Sequence, residues 1–67
     1  MSNKTARYIA RMIDKNNLYI EEISAKLDIS KEKLILGTKE SLSAEEFLRL
    51  CQYLHIRPED VLRELEL

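Results

Sequence analysis

The sequence has one glycine, one proline, one cysteine and no tryptophan in 67 residues, and no apolar run exceeds three residues, as in Leu34-Ile35-Leu36. Each scarcity excludes a class of protein. So little glycine and proline argues against an all-β fold, which needs many tight turns, and against collagen-like or low-complexity chains. A single cysteine makes no internal disulfide, and one histidine with one cysteine makes no structural zinc site, so packing alone must hold the chain. Three apolar residues fall far short of the roughly 18 needed to span a bilayer. No basic-then-apolar signal segment opens the chain, and with a lone thiol this points to a cytoplasmic protein without a membrane partner. A chain of this size buries only about 60% of the surface its unfolded form exposes, so one domain over residues 1–67 is expected, with no room for a large substrate pocket.

What is present is 45% apolar and 34% charged residues, the composition of a compact helical domain. The net charge of −1 conceals an asymmetry. Residues 1–39 hold eight basic and five acidic side chains, and residues 40–67 three basic and seven acidic. The basic half is suited to phosphates, the acidic half to solvent or a partner.

Helical periodicity predicts five short helices. The first, from about Lys4 to Lys15, turns Ala6, Ile9, Met12 and Ile13 inward and sets Lys4, Arg7, Arg11 and Lys15 in a stripe opposite, either an ordinary solvated face or a phosphate-facing edge. Asn16-Asn17 supplies a left-handed stop. The second, Tyr19 to Leu27, turns Ile20, Ile23 and Leu27 inward and ends at Asp28. Ser30 is placed to cap a third helix, Lys31 to Leu36, closed by Gly37, in which Leu34-Ile35-Leu36 mostly pack. Ser43-Ala44-Glu45-Glu46 is a capping box with Leu42 stapling onto Phe47. It opens a fourth helix with Phe47, Leu48, Cys51 and Leu54 inward and Leu50 and Tyr53 outward, ended by His55. Pro58, Glu59 and Asp60 open a fifth helix carrying Val61, Leu62 and Leu65.

Two short helices joined by a tight turn and wrapped by others are the layout of a helix-turn-helix. The segment Leu18-Tyr19-Ile20-Glu21-Glu22-Ile23-Ser24-Ala25-Lys26-Leu27-Asp28-Ile29-Ser30 resembles the helix-turn-helix core of the lambda-repressor-like family, Cro/Xre type. The similarity continues through Phe47-Leu48, Cys51 and Leu54-His55-Ile56, and through Pro58-Glu59-Asp60-Val61-Leu62, so that it covers about residues 5–65. It implies an all-α, compact five-helix DNA-binding domain with the helix-turn-helix at about residues 19–36, its Lys31–Leu36 helix entering a major groove of double-stranded DNA. It further implies that Lys31, Glu32, Lys33 and Ile35 are the exposed recognition residues, that Leu34 is core, and that Tyr19 and Lys39 lie where the family contacts phosphates. The sequence departs from the family where glutamine is frequent, at Ile20 and Lys31, where glutamate is usual, at Thr38, and at the turn glycine, Asp28.

The remaining polar residues have structural explanations. Cys51 falls in an apolar stripe as a buried, inert thiol. His55 sits at a helix end, and the Glu45/Glu46 and Glu59/Asp60 pairs fall in first turns, where the helix dipole accounts for them. With no phosphate-binding glycine loop and no metal spacing, no enzyme, cofactor or metal is expected, and the resemblance implies a transcription regulator. It would act as a homodimer, since one short recognition helix gives too few contacts for tight binding and pairing spans half-sites about 34 Å apart. Leu50 and Tyr53, or the Leu65–Leu67 tail, are the candidate dimer contacts. The competing expectation is a protein-interaction module on the same fold, docking a protein partner through Tyr19, Ile20, Ile35 and Leu36.

Overall fold

A computed structural model describes residues 3–65. Four α-helices follow one another: α1 (Asn3–Lys15), α2 (Ile20–Leu27), α3 (Ala44–Leu54) and α4 (Pro58–Leu65), with a single 3-10 turn at Lys31–Lys33 between α2 and α3. No strand occurs among the described residues. The radius of gyration is 10.6 Å, close to the about 11 Å expected of a compact chain this long.

α1 buries Thr5, Ala6, Ile9, Ala10 and Ile13 on one side and leaves Lys4, Arg7, Arg11 and Lys15 exposed on the other. It packs against α4 and α3. Its end is a Schellman closure: Asn17 takes a left-handed φ of 55°, Leu18 N–H donates to the Ile13 carbonyl at 3.0 Å and Asn17 N–H to that of Asp14 at 3.1 Å. α2 closes in the same manner on Asp28 (φ 54°), with Ile29 N–H returning to Ser24 O at 3.2 Å. Arg49 of α3 donates from Nη1 to the carbonyl of Leu27, the last residue of α2, at 2.7 Å, placing a cation on the negative end of that helix. α3 starts at the expected capping box, Ser43 Oγ accepting from Glu46 N–H at 3.1 Å and Glu46 Oε1 from Ser43 N–H at 2.8 Å. His55 (φ 58°) ends it.

The core unites Ile9 and Ile13 of α1, Ile23 of α2, Ile29, Leu34 and Leu42 of the connections, Phe47, Leu50 and Cys51 of α3, and Val61 of α4. Burial raises the pKa of the Cys51 thiol, which keeps it protonated and unreactive.

Several expectations need correction. Among the described residues there are four α-helices, not five: Lys31–Leu36 forms only the 3-10 turn Lys31–Lys33. Six residues between Ser30 and Gly37 are too few to propagate a helix, and burying Leu34 takes precedence. The turn is closed by Lys33 N–H to Ser30 O at 3.1 Å and Leu34 N–H to Lys31 O at 2.9 Å. Leu34 goes to the core while Ile35 and Leu36 both emerge. Ser30 makes no side-chain cap; its hydroxyl donates instead to the Glu32 carboxylate. On α3, Leu50 is 0% exposed and Leu48 is 54% exposed, the reverse of the expected facing. Positions 47, 50, 51 and 54 carry the i, i+3, i+4, i+7 stripe. Tyr53 is half-buried, with the Lys26 ammonium 5.9 Å from its ring centroid. On α4, Val61 is buried and Leu62 is exposed. Leu50 is therefore unavailable as a dimer contact, while Tyr53 keeps part of its surface. Of the tail, Leu65 is half-buried and Glu66 and Leu67 lie outside the described residues.

Candidate nucleic-acid interface

The candidate contact residues sit on the first turn of α2 and on the irregular segment that follows it. Tyr19 is the residue before α2 and is 76% exposed; its backbone carbonyl accepts the helix's first hydrogen bond, from Ile23 N–H at 3.2 Å. Ile20, next to it, is half-buried against the core. The 3-10 turn returns beside these residues, because the Lys31 ammonium lies 3.9 Å from the Glu21 carboxylate. Both side chains are largely solvated, so the pair holds little energy. Glu32 is exposed. The Ser30 hydroxyl, and then the backbone, hydrogen-bond its carboxylate and keep its pKa low, so it is an anion near neutral pH.

Lys33 is not an exposed recognition residue. Its Nζ donates to both oxygens of Glu46 at 2.9 and 3.0 Å, and the two side chains are only 25% and 14% exposed. The Glu46 carboxylate accepts at once from the α3 capping backbone and from Lys33. The Ser43 backbone N–H is the larger cause holding its pKa below the usual carboxylate range, and Lys33 adds to it against the opposing effect of burial. Lys33 thus ties the 3-10 turn to the start of α3, and its cation is neutralised internally.

The rest of the segment runs away from α2 toward α1. Gly37 takes φ +72° with nothing within 4 Å of where a Cβ would stand; the backbone conformation, not space, calls for glycine there. Thr38, which the sequence marked only as a departure from the family, is buried. Its hydroxyl donates to the Glu32 carbonyl at 2.6 Å and accepts from Glu40 N–H at 3.1 Å, and its own carbonyl accepts from Arg7 Nε of α1 at 3.1 Å. Leu36 lines one open surface depression with Arg11, Asp14 and Lys15 of α1. Lys39 is exposed just beyond.

The structure therefore sets Lys31 near the first turn of α2, where Tyr19 is exposed, turns Leu36 and the residue before Lys39 toward α1, and half-buries Lys33 against Glu46. Sequence reasoning missed the anchors Thr38, Arg49 and Glu46-to-Lys33. Only Thr38 left a local signal, a hydroxyl two residues before a backbone N–H that needs a partner in a short loop. Among the described residues no helix is long and apolar enough to cross a membrane. No protein-family model matches this chain, and neither a curated protein nor a solved structure matches it.

Proposed function

We propose that this chain is a small, non-enzymatic regulator of transcription of Cro/Xre type that binds double-stranded DNA in the cytoplasm as a homodimer. In this reading α2 and the Lys31–Leu36 segment act as its helix-turn-helix. The observation that carries the reading is the pairing of an exposed face with a fixed support. Lys31, Glu32 and Ile35 project from a turn whose Leu34 and Thr38 are buried, beside an exposed Tyr19. Lysine reaches guanine O6 and N7 or a phosphate, and glutamate accepts from cytosine N4. Because one 3-10 turn offers few base-reaching side chains, Tyr19 and Lys39 on phosphates supply register and much of the affinity. The homodimer draws on Leu48 and Leu62, the large apolar side chains that α3 and α4 leave exposed.

Titrating the protein against duplex DNA from its own locus, at low and then rising salt, tests the reading. Binding should weaken steeply with salt, and Lys31→Glu should reduce it by roughly tenfold or more, one base or phosphate contact being worth about 1–3 kcal/mol. No complex at low salt, with the helical circular dichroism intact, overturns it.

A second reading is favoured by apolar exposure along the same segment, with Tyr19 at one end of it and Ile35 and Leu36 at the other. Tyr19, Ile35 and Leu36 are all exposed, Leu36 by 54%, and with the half-buried Ile20 they offer a docking surface for a protein partner. Such an interface responds little to salt and survives Lys31→Glu.

A further inference from the structure

The sequence has 11 lysines and arginines. Lys26, Lys31, Lys33, Arg57 and Arg63 each have a carboxylate oxygen within 3.9 Å, and Arg49 is turned onto a backbone carbonyl. The others are Lys4, Arg7, Arg11, Lys15 and Lys39. All are exposed, and none has a carboxylate partner among the described residues.

These cations gather on one ridge. Four of them run along the outer face of α1 over about 16 Å, at 1.5 Å of rise per residue. The hydrogen bond from Arg7 Nε to the Thr38 carbonyl brings the residue before Lys39 against that face, and Leu36 shares a depression with Arg11 and Lys15. Arg7 keeps four further N–H donors on an exposed guanidinium. Asp14 and, across Tyr8, Glu64 border the ridge.

We propose that this ridge binds the phosphate backbone of double-stranded DNA independently of sequence. The inference rests on the DNA reading above and adds a contact surface to it, separate from the Lys31–Leu36 turn. A row of cations without carboxylate partners complements a regular polyanion, since each of them can neutralise a phosphate without first giving up an internal partner. A paired cation such as Lys33 would first have to give up its carboxylate. An anionic membrane fits the ridge less well, because insertion needs an exposed apolar face and the ridge offers a single large exposed apolar side chain, Leu36, with none from α1.

The test compares wild type, Arg11→Gln/Lys15→Gln and Lys31→Gln on a random-sequence duplex across a salt titration, with circular dichroism as the folding check. Arg7 stays in place, so the Thr38 anchor is kept. The double variant should lose roughly tenfold in affinity per cation at about 0.1 M salt, and its log–log salt slope should flatten by about 0.9 per charge removed. If it keeps wild-type affinity and slope while Lys31→Gln binds less, the ridge proposal fails and the turn-centred reading stands. If the double variant loses affinity and Lys31→Gln does not, the ridge stands and the turn is not the contact. Wild type that ignores the duplex at low salt, or prefers anionic phospholipid vesicles to it, overturns the ridge proposal.

Discussion

The helical frame of α1, α3 and α4 and the segment from Asp28 to Ser43 hold their shapes by different means. The frame is regular, and apolar side chains such as Ile9, Ile13, Phe47, Leu50 and Val61 hold it together. In the segment only Lys31–Lys33 is regular. Ile29, Leu34 and Leu42 pin it to the core, and side chains, not a backbone ladder, satisfy much of its polar backbone: Thr38 serves Glu32 and Glu40, Arg7 serves Thr38, and Glu46 serves Ser43 while holding Lys33. The difference teaches that the candidate contact surface can be loosened by removing one polar side chain, with the frame left standing.

The largest effect should come from the frame. Leu50→Ala should cost about 2–5 kcal/mol, a large part of the stability of a domain this small, whereas Leu48→Ala on the same helix should change the stability of the dissociated monomer, at low protein concentration, by less than about 0.5 kcal/mol. Denaturant titration of the two variants checks this, and equal losses would contradict the facing of α3. Thr38→Val comes next. It keeps the volume and strips the hydroxyl from its two partners, at a cost of about 1–3 kcal/mol. Hydrogen exchange should quicken at Glu40 and neighbouring amides more than in α1; uniform quickening would mean that segment and frame open as one unit.

The third effect is in pH. Glu46 has a folded-state pKa below its ordinary 4.5. Its charge therefore contributes stability above that ordinary value, and the contribution is lost as pH falls toward and through the depressed folded value. Glu46→Gln should lower the Tm near neutral pH by a few degrees, consistent with about 1 kcal/mol for a cap, and the gap from wild type should close in acid. A gap that persists unchanged in acid would assign the loss to shape and not to charge.

What was legible in the sequence was what depends on near neighbours in the chain. The α1 stripe, the Ser43–Glu46 box and the left-handed stops at Asn17 and Asp28 all follow from spacings of a few residues. Which way α3 faces was harder: Leu48 and Leu50 both flank Phe47 and Cys51, and choosing Leu48 rotates the stripe by several tens of degrees. Lys31–Leu36 carried helix-compatible residues, yet the pull of the core on Leu34 and of Glu46 on Lys33, 13 positions apart, left only one 3-10 turn. Lys33 therefore read as an exposed side chain, whereas it is half-buried on Glu46. The candidate contacts that do remain exposed, Tyr19, Lys31, Glu32, Ile35 and Lys39, were legible because exposed side chains need no partner to be placed.

Asn17, Asp28 and His55 close three helices in a left-handed conformation without being glycine. That choice shifts a cost from one state of the chain to the other. Such a residue carries strain of up to about 1–2 kcal/mol when folded, less for Asn and Asp. A glycine there would instead give the unfolded chain more freedom to lose, by roughly 0.5–1 kcal/mol. The chain thus starts from a narrower unfolded ensemble, and its reversals are encoded at the point where they occur. Helix ends can then be chosen before distant partners meet, a route that favours rapid assembly of a short helical chain.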